Sequence, residues 1–340
     1  MSKSVKLADI GKVLGVSTVT VSKALSGQKG VSEEMRAKIK TLAAELGYKS
    51  PSLVRLSRLP KSYNIGVLIE EKYLEQAQSF YWTIYQEVAT RAVAYESFTL
   101  MELISEEMKE YNLLPRVVKE EKVDAFVVIG STKTSYLSYL SENTRIPFIC
   151  LDFYEPKIDV DSVITNSYFD TYKLTNYLCD NGHKKIAYVG SLLCASSITD
   201  RYFGYRKSLL EHGIEVPKDY LIDDRSKETG LRGPDFKFKF PKDMPTAFVC
   251  NCDLVADLLI SELNKKGYKV PEDISIVGYD NYLFQPLTDV EITTFEVDVK
   301  GMVECGIDIL MKKLSRKPYS KGMHVIEGKM VIKNSVRNIG

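Results

Sequence analysis

The sequence predicts an α/β chain: a three-helix headpiece built on a helix-turn-helix, a short hinge helix, and a body of two doubly wound parallel subdomains. Three observations predict it. Residues 7–26, LADIGKVLGVSTVTVSKALS, read as two short helices joined by a glycine turn. Beyond residue 62, short continuous apolar runs alternate with amphipathic stretches in two successive series. After a headpiece, the 340 residues leave a body of about 275, more than one hydrophobic core usually holds.

The headpiece is expected over residues 1–50. Gly11 lets the second helix cross close to the first, Gly15 supplies the turn, and Ser17 stands where an N-cap hydroxyl accepts an orphan amide. Ile10, Leu14, Val21 and Leu25 form the inward stripe. Thr18, Val19, Ser22 and Lys23 are left outward on the second helix, the geometry by which a recognition helix enters the major groove. An ordinary helical hairpin with a solvated polar face has the same spacing. Ser32 caps a third helix, with Met35, Ile39, Leu42 and Leu46 at helical intervals and Gly47 as its stop. Ser17, Thr18, Val19, Thr20, Ser22 and Lys23 are the candidate DNA contacts. Thr18, Val19 and Lys23 are expected to read bases, and Ser22 to meet phosphate.

Residues 51–62 are expected to form a hinge helix and linker. Pro51 suits a first helical position and Pro60 closes a segment too short to be helical unaided. The body, 63–340, carries one strand series at 64–69, 98–103, 124–130 and 147–152, with helices near 80–94, 105–120 and 133–141. A second series runs through KIAYVG, YLID, TAFVC and ISIVGYD, with helices near 167–181, 199–212 and 253–266. Two lobes follow, one from each series. Ligands bind at the carboxyl ends of such strands.

Charge is split along the chain. Residues 1–62 hold 12 Lys or Arg against 4 Asp or Glu, leaving 34 against 41 for the rest of the +1 total. A basic end on an acidic body fits phosphate-backbone binding confined to that end. Six cysteines sit mainly within apolar patterns, which reads as reduced core thiols, and three histidines give no metal cluster. No phosphate loop and no histidine near a plausible catalytic partner is visible, so an enzyme and any cofactor are not expected. The polar N-terminus shows no export signal and no run is long enough to span a bilayer, so the expected location is the cytoplasm, with no membrane partner.

The chain resembles the lactose-repressor (LacI/GalR) family of bacterial transcription regulators. The resemblance rests on Gly15-Val16-Ser17, Thr20-Val21-Ser22 and Lys23, VSEEMR with ELGY at 45–48, NGHKKIAYVG at 181–190, DRYFGYRKSL at 200–209 and VPEDISIVGYDN at 270–281. It implies a two-lobed body like that of periplasmic sugar-binding proteins, with the chain crossing between an N-terminal lobe of about 63–164 and 283–300 and a C-terminal lobe of about 165–282 and 301–340, an effector between the lobes, operator DNA as partner, and Arg55 with Leu56 or Leu59 as hinge contacts in the minor groove. Arg201 matches an arginine that forks onto sugar hydroxyls or a carboxylate, and Asp280 an acid that accepts from hydroxyls. Tyr73, Phe80 and Phe169 are expected as apolar walls, with Trp82 in the core or at the rim.

The chain departs from the family pattern in four places. Asn251-Cys252-Asp253 stands for the usual Ala-Asn-Asp, so Asn251 is only a candidate contact. Phe169 stands where some members have aspartate, residues 224–245 look too irregular for a helix, and Ser57 occupies the position of the minor-groove leucine. The effector is expected to be a small sugar or sugar derivative. The assembly is expected to be a homodimer, since one headpiece reads a half-site and no heptad repeat follows the last strand. Two other readings share parts of this pattern: a solute receptor with the same body, and an architectural DNA binder without an effector.

Overall fold

The computed structural model describes residues 5–26, 28–46, 48, 62–74, 79–226, 230, 232 and 236–340. The chain divides into two compact units, Met1–Lys61 and Ser62–Gly340. Arg55 and Leu56 lie outside the described residues, as do the expected hinge helix and the expected stop at Gly47.

In the first unit, helices α1 (Leu7–Leu14), α2 (Thr18–Leu25) and α3 (Glu33–Glu45) enclose Ile10, Val21, Ala24, Ile39 and Ala43. Each helix starts on a satisfied amide. Lys6 N donates to Asp9 Oδ2 at 2.7 Å, Thr20 N to Ser17 Oγ at 3.1 Å, and Met35 N to Ser32 Oγ at 3.4 Å. Gly15 is left-handed at φ 65°, and a Cβ on Gly11 would stand 2.7 Å from the Val16 carbonyl oxygen. Both glycines are thus required by the turn. Leu46, expected inward, is 38% exposed; the inward place goes to Ala43, because the helix has ended by then. Arg36 adds a tie that the periodicity did not reveal, donating to the carbonyls of Ala24 at 3.1 Å and Gln28 at 2.8 Å at the end of α2.

The second unit holds two parallel sheets. The N-terminal lobe has six strands in the order β11-β5-β4-β3-β1-β2: β1 Asn64–Glu70, β2 Phe98–Ile104, β3 Ala125–Ile129, β4 Phe148–Leu151, β5 Asp161–Thr165 and β11 Met323–Ile326. The C-terminal lobe has four in the order β7-β6-β8-β9: β6 Ile186–Val189, β7 Leu221–Ile222, β8 Ala247–Cys250 and β9 Ser275–Val277. Their pairs are parallel, and β1, β3, β6 and β8 are almost wholly buried, as strands covered on both faces must be. The strand order reverses between β1 and β3 in one sheet and between β6 and β8 in the other. Those are the switch points where doubly wound sheets open a crevice.

The expected lobe boundaries fail towards the C-terminus. Residues 283–300 are expected in the N-terminal lobe and 301–340 in the other, yet Ile292, Phe295 and Val297 pack into the C-terminal lobe's core. Helix Val299–Leu314 inserts Met302, Val303, Ile307 and Leu310 against Ile149, Leu151 and Val163 of the N-terminal lobe, and β11 pairs with β5. The chain then returns: β12 (Lys329–Val331) pairs antiparallel with β10 (Thr294–Glu296), and Arg337 N donates to Ser275 Oγ at 2.9 Å. Strand β5 explains this, because its free edge and the apolar face beside it need a partner strand and helix that local periodicity does not assign.

Two smaller expectations also change. The helix expected near 105–120 breaks into Glu106–Glu110 and Arg116–Lys119, with Glu102 accepting from Arg116 N at 2.6 Å and Val117 N at 2.7 Å to start the second piece. Residues 236–245 are without helix, as expected for that irregular stretch. All six cysteines are free thiols. Among the described residues no helix is long and apolar enough to cross a membrane.

Candidate DNA-reading face and interlobe cavity

Helix α2 buries Val21 and Ala24 and exposes Thr18, Val19, Ser22 and Lys23, so the helical phase read from the sequence holds. Val19, an apolar side chain, is 61% exposed among the described residues. Ser17 and Thr20 are engaged locally: their hydroxyls lie 2.9 Å apart while Ser17 caps the helix. Their side chains therefore build the helix start that presents their neighbours.

At the switch points of the second unit lies a cavity of about 410 Å³, lined from both lobes. Tyr73 follows β1 and donates to the Ser131 carbonyl at 2.8 Å; its ring centroid is 4.3 Å from that of Tyr81. A Cβ on Gly130, at φ 76°, would lie 2.8 Å from both rings, so glycine at the end of β3 lets the aromatic wall close. Phe80 opens helix Phe80–Val93 and meets Tyr282 edge-on at 6.0 Å. These rings give the N-terminal side an apolar wall.

The opposite wall is charged. Arg201, on helix Ser196–Glu211, is buried, donates from Nη1 to the Asn251 carbonyl at 2.7 Å, and places its guanidinium 3.8 Å from the Tyr279 ring centroid. Asn251 turns its amide back to the Val189 carbonyl at 3.2 Å, so it is the backbone oxygen that serves the arginine. Asp280 sits at φ 93°, a left-handed geometry uncommon outside glycine, and accepts from Tyr282 N at 3.0 Å. Burial, with Asp253 beside it, pushes the Asp280 carboxyl well up. Burial likewise pushes Asp152 up to about 6. Asp224 shows the reverse: burial favours the acid, but Arg225 and Arg232 overcome it and hold the carboxyl down to about 2.

Of the sequence-derived candidates, Tyr73, Phe80, Arg201, Asn251 and Asp280 all line this cavity. Phe169 does not. It is 39% exposed, stacked on Tyr172 at 5.8 Å with the Lys173 ammonium 4.3 Å from its ring. The cause is helical phase: the cap at Asn166 turns the next residue, Asp170, inward to accept from the Tyr279 hydroxyl at 3.0 Å. Trp82 packs on Tyr85 at 5.1 Å outside the lining. Sequence reasoning missed Tyr81, Lys72, Asp152 and Arg225. Asp152 ends an apolar strand, a signal that was present; Arg225 lies in an irregular stretch that carries none.

The sequence model described as bacterial regulatory proteins, lacI family, matches residues 6–51, and that of a periplasmic binding protein-like domain matches 175–336. The chain belongs to the lacI family. Its HTH-type transcriptional repressor relative PurR of Vibrio campbellii is 27% identical over 339 residues, covering 98% of this chain and 99% of that one. The fold is shared with the transcriptional regulator CelR in its cellobiose complex (TM-score 0.67, 20% identity, 97% of this chain and 99% of that one). It is also shared with the lac repressor dimer bound to operator and the anti-inducer ONPF (TM-score 0.64, 20% identity, 98% and 100%). This lacI-family member is a DNA-binding transcriptional regulator, and the relatives it matches are transcriptional regulators and not enzymes.

Proposed function

We propose that the protein is a repressor that binds a palindromic operator as a homodimer in the cytoplasm, and that a small sugar or sugar-derived effector in the interlobe cavity sets its operator affinity. The observation that carries this reading is the buried Arg201 at an aromatic-walled cavity of about 410 Å³, on the same chain as the exposed face of α2. A cavity of this size suits a small polar ligand, with few polar groups fixing orientation and flat rings offering stacking faces. The cellobiose held by the CelR neighbour and the operator-bound dimer of the lac repressor neighbour support the ligand class and the assembly. Thr18, Val19 and Lys23 read bases, Ser22 meets phosphate, and Arg55 with Leu56 or Leu59 contacts DNA from residues 51–62. The effector acts by preferring one arrangement of the lobes, and a coupling of about 1–3 kcal/mol is enough to move operator occupancy by a large factor.

The test is operator affinity with and without the cognate sugar, for the parent and for Arg201→Ala. The parent should lose or gain affinity with ligand, whereas the variant should keep its unliganded affinity and salt dependence and no longer respond. A variant that responds as the parent does places the effector elsewhere. A parent indifferent to every sugar supports an architectural DNA binder instead.

A further inference from the structure

We propose, building on the effector site above, that the ligand is an anionic carbohydrate, a sugar phosphate or a sugar acid. Its acidic group is met by the arginine-bearing wall of Arg201, Arg225 and Arg232. Its ring faces Tyr73 and Phe80. Arg201 carries most of the argument. It is buried, its Nη1 has only a peptide carbonyl as partner, its Nε has none, and among the described residues it forms no ion pair. A buried guanidinium that no carboxylate contacts, with Asp152 and Asp280 acting on it only from beyond ion-pair distance, keeps donors free, and its rigid fork matches the oxygens of a carboxylate or phosphate. A ligand that brings the anion takes up those donors.

The surroundings point the same way. Arg225 and Arg232 both line the cavity and both reach the one carboxylate of Asp224, at 2.7 Å and 3.4 Å. Ser191 fixes the backbone of Arg225 from both sides, accepting from its N–H at 3.1 Å and donating to its carbonyl at 3.0 Å. Across the cavity, Lys72 sits 2.6 Å from Glu70, a carboxylate that also serves Lys109 at 2.9 Å. Among the described lining residues the carboxyl groups are those of Asp152 and Asp280, set against the four cations Lys72, Arg201, Arg225 and Arg232, and burial pushes both carboxyls up. The hydroxyls of a neutral sugar could accept from these donors but would leave the excess positive charge without a counter-ion.

Calorimetry of the full chain against glucose, gluconate, glucose 6-phosphate, ribose, ribose 5-phosphate and inorganic phosphate tests the proposal, at about 50 mM and about 500 mM salt. At least one phosphate or acid should bind tenfold or more tightly than its neutral parent sugar. Inorganic phosphate should compete with it, and the preference should shrink at high salt. Arg225→Gln should reduce the preference several-fold. Lys72→Gln, on the other wall, serves as the second variant should the first fail to fold. Neutral sugars binding as tightly as their anionic partners would overturn the anionic ligand and leave the cavity standing as an effector site. A preference unchanged in both variants would overturn the assignment to these cations. Binding by no member, inorganic phosphate included, would also overturn it, and the operator experiment above then decides separately whether the cavity is an effector site.

Discussion

The guanidinium of Arg201 lies 3.8 Å from the centroid of the Tyr279 ring, and the hydroxyl of that same tyrosine donates to Asp170 at 3.0 Å. The hydroxyl is also 3.2 Å from that of Thr165, at the end of β5, so this one side chain connects the cavity floor to both lobes. Tyr279→Phe keeps the ring and removes the hydroxyl, leaving the buried Asp170 without this donor. A loss of about 1–3 kcal/mol is expected, the usual cost of stranding a buried polar group. Burial already pushes Asp170 up to about 6 and the tyrosine opposes that, so the carboxyl should rise further in the variant. Urea unfolding near neutral pH should report the loss, and it should narrow in acid, where the carboxyl carries a proton. An equal loss at both would contradict the assignment.

The two helices beside the cavity, Ser167–Asp180 and Ser196–Glu211, approach so closely at Gly204 that a Cβ there would fall 2.0 Å from the Tyr168 carbonyl oxygen. Backbone on one side gives it nowhere to go. Gly204→Ala should cost about 1–3 kcal/mol despite its better helix propensity, read as a lower urea midpoint at unchanged slope. A neutral or stabilised variant would show that the helices can separate freely.

Asp152 lines the cavity with its carboxyl raised from 3.8 to about 6 by burial. The folded state therefore holds the proton more tightly than the unfolded chain does. The stability it contributes is present below about pH 4 and is lost as pH climbs through about 6. Asn cannot ionise and tolerates the left-handed φ of 66° found there. Thermal midpoints of Asp152→Asn should gain on the parent as pH rises from about 4 to about 7. A difference that stays flat across that range would place the aspartate in water rather than in a buried site.

How much of this was legible depended on whether a signal was local. Ser17, Gly15 and Ser32 announce turn and caps by residue type, and the buried phase of α2 follows from Val21, with Ala24 more deeply buried than the expected Leu25. Arg201, in the second turn of the helix that follows β6, and Asp280, three residues after β9, lie beyond the carboxyl ends of strands, where parallel sheets collect their ligands. The errors are long-range or a matter of phase. Phe169 and Asp170 differ by one residue, and only the cap at Asn166 decides which faces inward. Met323–Ile326 is too short and too exposed to declare its sheet, and its place beside β5 is set by a strand more than 150 residues earlier. Arg225 and Arg232 reach the cavity through a stretch with no periodicity at all.

On α2, Lys23 is exposed and stands on the same outward face as Thr18 and Val19. Lys23→Ala should weaken binding by about 1–3 kcal/mol and relax preference at one base pair, most simply a guanine. Competition with single-base operator variants measures this. Equal weakening on all of them would make Lys23 a phosphate contact.

The central claim is that one chain joins a sequence-reading headpiece to a two-fold assembly. Selection from randomised duplex DNA by the full-length protein tests it most directly, with the Thr18, Val19 and Lys23 alanine variant as comparison. The account predicts enrichment of a palindrome whose half-sites lie about 10–10.5 bp apart, centre to centre, or a multiple of that, and loss of the enrichment in the variant. Binding without any enriched sequence, or enrichment of a single unrepeated half-site, would contradict it.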